Sequence, residues 1–137
     1  MPKLILLCVA NSARSQMGEA LARDGAPRGW EVYSAGSEPS QVNPYAIEVM
    51  AEVGIDMSGQ RSKGLDQVPI EDADFVITLC AEEECPVAYT NGTRLAWPHP
   101  DPAAPAPTEQ AQRQSFRDVR DMIRNRLTRF WREQQAG

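Results

Sequence analysis

Cys8 and Arg14 are separated by Val9, Ala10, Asn11, Ser12 and Ala13, and Ser15 follows directly. The stretch lies between an apolar run, Leu4-Ile5-Leu6-Leu7, and the start of a helical pattern. A short loop in that position can wrap a tetrahedral oxyanion. Its N–H groups and the helix N-terminus point inward, and the arginine fork clamps two oxygens. Backbone groups from Val9, Ala10, Asn11, Ser12, Ala13 and Arg14 would form the cradle, and asparagine tolerates the positive φ such a loop needs. A cysteine at its base is a nucleophile, because the helix end and Arg14 both favour the thiolate. The Ser15 hydroxyl can add a hydrogen bond to the sulfur. A buried structural cysteine beside an unrelated arginine is the plainer reading; the strand–loop–helix placement argues against it.

Asp101 stands in His99-Pro100-Asp101-Pro102. A loop carboxylic acid near an oxyanion could protonate a leaving oxygen; by itself it would be a turn aspartate. His99, the sole histidine, is expected to be exposed and without a role. Cys80 and Cys85 are separated by Ala81, Glu82, Glu83 and Glu84. They are either unrelated thiols or a dithiol that takes electrons from Cys8. Residues i and i+5 of a helix lie about 8–9 Å apart at Cα, whereas a disulfide spans about 4.4–6.8 Å. A helix here would have to unwind to close the bond.

The elements that must position these groups follow from the apolar pattern. Residues 3–9 read as a strand buried on both faces. A helix runs from Ser12 to about Arg23, with Met17, Ala20 and Leu21 inward and Gly25 as its stop. Residues 30–35 alternate as a strand. Asn43 caps a helix that has Pro44 in its first turn and an inward face of Ala46, Ile47, Met50 and Val53, closed by Gly54. A short helix is expected within 61–67, strands at 75–79 and 94–97, and a helix between those two strands. A proline-rich loop over 98–107 precedes a last helix from Thr108–Glu109, with Phe116, Val119, Ile123, Leu127 and Phe130 on one stripe. This order predicts an α/β fold with a parallel sheet and helices on both faces. Ligands of such sheets bind beyond the carboxyl ends of the strands, where Cys8 and Cys80 both fall.

A chain of 137 residues suits a single domain, 1–137, and shows neither a repeat nor a linker. It is 42% hydrophobic and carries a net charge of −5, which argues against a nucleic-acid partner. Seven arginines (Arg113, Arg117, Arg120, Arg124, Arg126, Arg129, Arg132) face only Asp118, Asp121 and Glu133 over 113–137; they read as a solvated helix face with local ion pairs. No apolar run approaches the roughly 20 residues of a membrane span, and the first is shorter than a signal core. A cytoplasmic monomer is expected. The odd count of three cysteines suits redox or catalytic use in a reducing compartment.

Cys8, Arg14 and Ser15 with a later Asp-Pro resemble the low-molecular-weight protein tyrosine phosphatase family. Cys80 and Cys85 resemble, more narrowly, its thioredoxin-coupled arsenate reductases. So do Asn-Ser-Ala-Arg-Ser-Gln-Met, Val-Tyr-Ser-Ala-Gly, Val-Gly-Ile-Asp, Val-Ile-Thr-Leu-Cys and Phe-Arg-Asp-Val-Arg-Asp. The resemblance runs from residue 3 to about residue 130. It implies a four-stranded sheet of order 2-1-3-4. It also implies arsenate reduction: Cys8 attacks arsenic, Asp101 helps an oxygen leave, Cys80 attacks Cys8, and Cys85 attacks Cys80. Thioredoxin resets the enzyme, with no tightly bound cofactor or metal and a weak phosphatase side activity. The spacing of Cys80 and Cys85 is shorter than is familiar in the family. Some members hold potassium beside the loop, and Asn11, Glu19 and Ser34 match that site. Lys63 stands at a family aspartate position, so its ammonium is expected to replace the ion and order the loop.

Two other functions compete. A tyrosine phosphatase would use Cys8 and Asp101, but Ala103-Ala104-Pro105-Ala106-Pro107 offers no aromatic grip. A non-enzymatic three-thiolate binder of arsenite or a soft metal would leave Arg14 and Ser15 unused.

Overall fold

The computed structural model describes residues 1–80 and 90–136. Cys85 and the helix expected just after the third strand fall outside the described residues. The elements are β1 (Lys3–Cys8), α1 (Arg14–Gly25), β2 (Glu31–Gly36), α2 (Pro44–Ala51), a 3-10 turn (Leu65–Gln67), β3 (Phe75–Thr78), β4 (Thr93–Ala96) and α3 (Glu109–Ala136). All strand pairs are parallel, in the order β2-β1-β3-β4. This is the expected α/β sheet; each strand differs from its predicted span by a residue or so at its ends.

β1 is central, and its unbroken apolar run serves two cores. Leu4 and Leu6 face α1, α2 and α3, together with Met17, Met50, Phe116, Ile123 and Leu127. Ile5 and Leu7 face the other way, onto Ala35, Val68, Ala73 and Val76. The two faces are covered unequally among the described residues: three α-helices lie on one, the 3-10 turn and its irregular flanks on the other. Burying one such Leu or Ile side chain contributes about 1.5–3 kcal/mol. At the amino end of the sheet, Trp30 packs on Trp131 with ring centroids 4.9 Å apart, and Phe130 lies against Trp30, Phe75, Trp97 and Trp131. No helix among the described residues is long and apolar enough to cross a membrane.

The helix starts obey their caps. Asn43 Oδ1 accepts from the Tyr45 N–H at 2.9 Å, ahead of Pro44. Thr108 Oγ1 accepts from the Ala111 N–H at 3.0 Å. α1 is different: no side chain caps it, so its first-turn N–H groups remain available to a ligand.

Three of the seven arginines of the stripe tie it to another helix. Arg113 pairs with Glu48 at 2.9 Å, Arg117 with Glu52 at 2.8 Å, and Arg120 with Glu52 at 3.0 Å. These partners lie on or just beyond α2; the local pairing expected within the last helix is present as well, in Arg113 with Glu109 at 3.9 Å and Arg120 with Asp121 at 2.9 Å. The long helix is therefore stapled to α2 by charge as well as by its apolar stripe.

Cys8 and Cys80 both lie at the carboxyl ends of strands. The chain goes from β1 to β2 on one side and returns to β3 on the other, so the order switches between β1 and β3. Leu7 pairs with Thr78 and Leu79 N–H bonds Leu7 O, which places Cys80 just past the level of Cys8. Cys8 pairs across with Gly36. A Cβ at Gly36 would strike the Val9 carbonyl oxygen and come within 2.8 Å of the Asn11 nitrogen. Only glycine lets the loop cross there.

Two outcomes test this architecture. Arg117, by hydrogen bonding, and then Arg120 hold the Glu52 carboxyl down at about 2, from 4.5. A depressed carboxyl contributes stability above its unfolded value and loses it on protonation in the fold. Glu52→Gln should lower stability at neutral pH by no more than about 1 kcal/mol, because the pair is partly exposed. The Tm gap to the parent should close as pH falls from 4.5 toward 2; a gap constant with pH contradicts the pairing. Gly36→Ala should displace the loop and reduce kcat/KM by about 100-fold, while circular dichroism shows the fold retained.

Candidate active site

The loop after β1 is organised by its carbonyls. Val9 O accepts from Glu38 N–H (2.9 Å), Ala10 O from Ser40 N–H (3.1 Å) and Ser62 Oγ (3.0 Å), and Ser12 O from Asn43 N–H (3.0 Å). Asn11 O accepts from Gln16 Nε2 at 3.1 Å, and Ala13 O from Met17 N–H at 2.9 Å. Every carbonyl from Val9 to Ala13 is thus engaged outside the loop. Among the described residues, none of the N–H groups of Val9 to Ala13 donates to a protein acceptor. Buried or ligand-facing N–H groups need partners. An oxyanion at the mouth of α1 could supply them.

Asn11 turns the chain, with φ of 48°, as its residue type allowed. Its side chain is completely buried and uses all of its hydrogen-bonding capacity. Oδ1 accepts from the Lys63 N–H and from Gln16 Nε2, each at 2.8 Å. Nδ2 donates to Ser15 Oγ at 2.8 Å and to Ser34 Oγ at 3.0 Å. The Lys63 N–H can only donate, so the amide orientation is determined by its partner. Ser15 Oγ, which accepts from Asn11, keeps its own proton to give and lies 2.8 Å from Cys8 Sγ. That is the contact expected from the sequence; toward a Cys8 thiolate the hydroxyl is the donor.

Ser34 Oγ passes its proton on, to Glu19 Oε1 at 2.7 Å. The Glu19 carboxylate is 2% exposed and has two cations: Lys63 Nζ at 3.2 Å and Arg23 Nη1 at 2.9 Å. Burying a carboxylate is tolerable only with such compensation. Lys63 Nζ also donates to Arg61 O at 3.0 Å. Asn11, Glu19, Ser34 and Lys63 thus meet in one cluster behind the loop. Its carboxylate already carries an ammonium, so the cluster does not fit a resident metal ion.

The front of the loop opens into a cavity of about 570 Å³ lined by Cys8, Val9, Ala10, Ser12, Ala13, Arg14, Ser40, Asp101 and Ala103. Asn11 alone of the predicted loop residues turns away from it. Asp101 is exposed at the rim, where its Oδ1 accepts from the Ala103 N–H at 2.9 Å. Cys8 has a free thiol. Cys80, buried beside the end of β3, is disulfide-bonded. The structure thus brings Cys8, Arg14 and Asp101 to one cavity, with Ser15 buried behind the Cys8 sulfur and Cys80 at the neighbouring strand end. Cys85 is outside the described residues.

His99 corrects the sequence reading, which made it exposed. It is 5% exposed, and its carbonyl accepts from Arg14 Nη1 at 3.1 Å. Burial pushes its imidazole below the usual histidine range; the Trp97 carbonyl opposes this, and the charges of Arg126 and Arg14 add to it. The reversal has a simple cause. The Pro-rich loop begins only after His99 N–H has extended the sheet pairing to Leu79 O.

Gln16 was missed. Completely buried on the first turn of α1, it joins Asn11 to Arg61 O at 2.8 Å and accepts from Gln60 Nε2 at 2.7 Å. Ser40 and Ser62 were missed for the same reason, since their loop partners lie tens of residues away. Gly36 carried a usable signal: a glycine at a strand end marks close backbone approach.

The comparisons agree with this geometry. The family model for low molecular weight phosphotyrosine protein phosphatase matches residues 3–136. An arsenate reductase from Bacillus subtilis is 43% identical over 129 residues, 93% of each chain. A solved arsenate reductase in its phosphate binding state superposes with a TM-score of 0.80 at 33% identity, covering 97% of this chain and 98% of that one. A thioredoxin-dependent arsenate reductase from Corynebacterium glutamicum gives a TM-score of 0.75 at 27% identity, covering 99% of this chain and 63% of that one. With the family model spanning nearly every residue, the chain belongs to the low molecular weight phosphotyrosine protein phosphatase family.

Proposed function

We propose that this protein reduces arsenate to arsenite by thiol chemistry, in the cytoplasm, with thioredoxin as the external reductant. The observation that carries the reading is a pair of cysteines in different states at one sheet end. Cys8 is free at the base of the anion loop, and Cys80 on the neighbouring strand is disulfide-bonded. A hydrolytic phosphatase has no use for the second. Relatives named arsenate reductase support the reading, as does a thioredoxin-dependent one.

In the first step the Cys8 thiolate forms a bond to arsenic while an arsenate oxygen leaves, protonated by Asp101. Arg14 and the N–H groups of Val9 to Arg14 hold the remaining oxygens. The Cys80 thiolate then attacks Cys8 sulfur. The S–As bond breaks with its electron pair on arsenic, which leaves as arsenite, and a Cys8–Cys80 disulfide remains. Cys85 attacks Cys80 and releases Cys8. The dithiol of thioredoxin returns two electrons by exchange. A free Cys8 with an oxidised Cys80 is the state this sequence reaches just before thioredoxin acts.

Lys63 takes the place of a loop-ordering cation. Its ammonium neutralises Glu19, which orients Ser34 and through it Asn11. No loosely held ion is then needed. The same cavity also takes a phosphate monoester, so slow hydrolysis by Cys8 and Asp101 accompanies the reduction. None of its lining residues among the described ones is aromatic, and Ala103-Ala104-Pro105-Ala106-Pro107 offers no aromatic grip on a phosphotyrosine ring. A disulfide-bonded Cys80 has no thiolate to give a metal, which weighs against a three-thiolate binder.

Two experiments test this reading. With thioredoxin, thioredoxin reductase and NADPH, the parent should release arsenite over many turnovers. Cys80→Ser should fall by at least about 100-fold, the scale of losing an essential nucleophile, while keeping p-nitrophenyl phosphate hydrolysis. Equal arsenate turnover in both would sink the relay. Potassium should leave oxyanion affinity of the parent unchanged, whereas Lys63→Gln should weaken it by about tenfold, the cost of one charge-assisted contact. Tighter binding by the parent on adding potassium would rule out the ammonium's role.

A further inference from the structure

We infer that His99 is a positioning residue, whose ring holds the backbone carbonyl that steadies Arg14 and so sets oxyanion affinity. This rests on reading the cavity as an oxyanion site.

The inference begins with the prolines. Pro98 and Pro100 flank His99, and neither has an N–H to donate. The segment leaving β4 is therefore anchored through Trp97 N–H to Thr78 O (2.8 Å) and His99 N–H to Leu79 O (3.0 Å). A further tie comes from the His99 side chain: Nδ1 lies 2.7 Å from Trp97 O. A carbonyl only accepts, so Nδ1 carries the proton. That bond folds residues 97–99 back on themselves, with the His99 carbonyl aimed at Arg14 Nη1, 3.1 Å away.

Arg14 is 8% exposed and has five N–H donors in a rigid fork. One fixed acceptor on Nη1 restrains the plane of the fork and leaves the other donors for the anion. Binding then loses less side-chain freedom. The charges acting on the ring come from two elements, Arg14 of α1 and Arg126 of α3. Both are cations, and Arg126 also lies over the Trp97 ring, 5.1 Å from its centroid. They oppose a charged imidazole, so the ring works neutral, in the Nδ1–H form. The same residue reaches Leu79, the neighbour of Cys80. The substrate clamp and the strand end bearing the second cysteine thus share one anchor.

The chain has one histidine, so nitrogen NMR reads this tautomer in the unmodified protein. A neutral ring protonated at Nδ1 at pH 7 supports the inference; protonation at Nε2 overturns it, whatever the variants do. Inorganic phosphate is the binding probe. His99→Phe removes the tie and keeps the backbone carbonyl. Its dissociation constant for phosphate should rise about fivefold, the equivalent of one net hydrogen bond, with kcat at saturating arsenate kept. Asparagine also carries an N–H at its δ position, so His99→Asn should recover most of the affinity. Unchanged phosphate affinity in a folded His99→Phe, or loss without recovery in His99→Asn, overturns the inference. Phosphate binding is read without turnover. A parent that binds phosphate but releases no arsenite therefore defeats the reductase reading and leaves this one standing.

Discussion

The site depends on a reversal of consecutive peptide groups, carbonyls outward and N–H groups inward, over Val9 to Ala13. The reversal is enforced from outside the loop. Glu38, Ser40, Asn43, Ser62 and Gln16 take the carbonyls, and Gly36 leaves room for the crossing. Asn11 makes the turn with its positive φ. An inward-facing row of dipoles set before substrate arrives needs no reorganisation when charge develops on the oxyanion.

Behind that row runs a polarised chain of hydrogen bonds. Both hydroxyls accept from Asn11; Ser34 donates onward to the Glu19 carboxylate, and Ser15 lies within hydrogen-bond distance of the Cys8 sulfur. The two ends are a nucleophilic sulfur and a buried anion, and the amide between them is saturated on both atoms. Such a network is worth having only when every member is satisfied. Here Lys63 and Arg23 complete it at the far end.

Much of this was legible in the sequence because local rules carry it. The unbroken run Leu4-Ile5-Leu6-Leu7 announced a central strand, Asn43-Pro44 a helix start, and the Phe116 to Phe130 stripe the packed face of α3. Cys8, Arg14 and Ser15 stood out because their spacing falls between an apolar strand and a helix start, and the structure groups them at that junction. What stayed hidden depends on tertiary placement. His99 sits in a segment whose prolines suggest a solvent loop, yet one backbone hydrogen bond to Leu79 draws it inside. The partners of Arg113 and Arg117 lie 65 positions away, beyond any helical periodicity. Gln16 looked like an ordinary polar residue of an amphipathic helix, because nothing local reveals that Arg61 and Gln60 will meet it.

The aromatic cluster at the far side of α3 has an optical consequence. The chain has three tryptophans, and Phe130 touches all of them. Their emission therefore comes from one packed ensemble instead of scattered probes. Trp97 belongs to that ensemble and also gives its carbonyl to the His99 ring. Through the His99 carbonyl on Arg14, the packed tryptophans are joined by two hydrogen bonds to a side chain that lines the cavity.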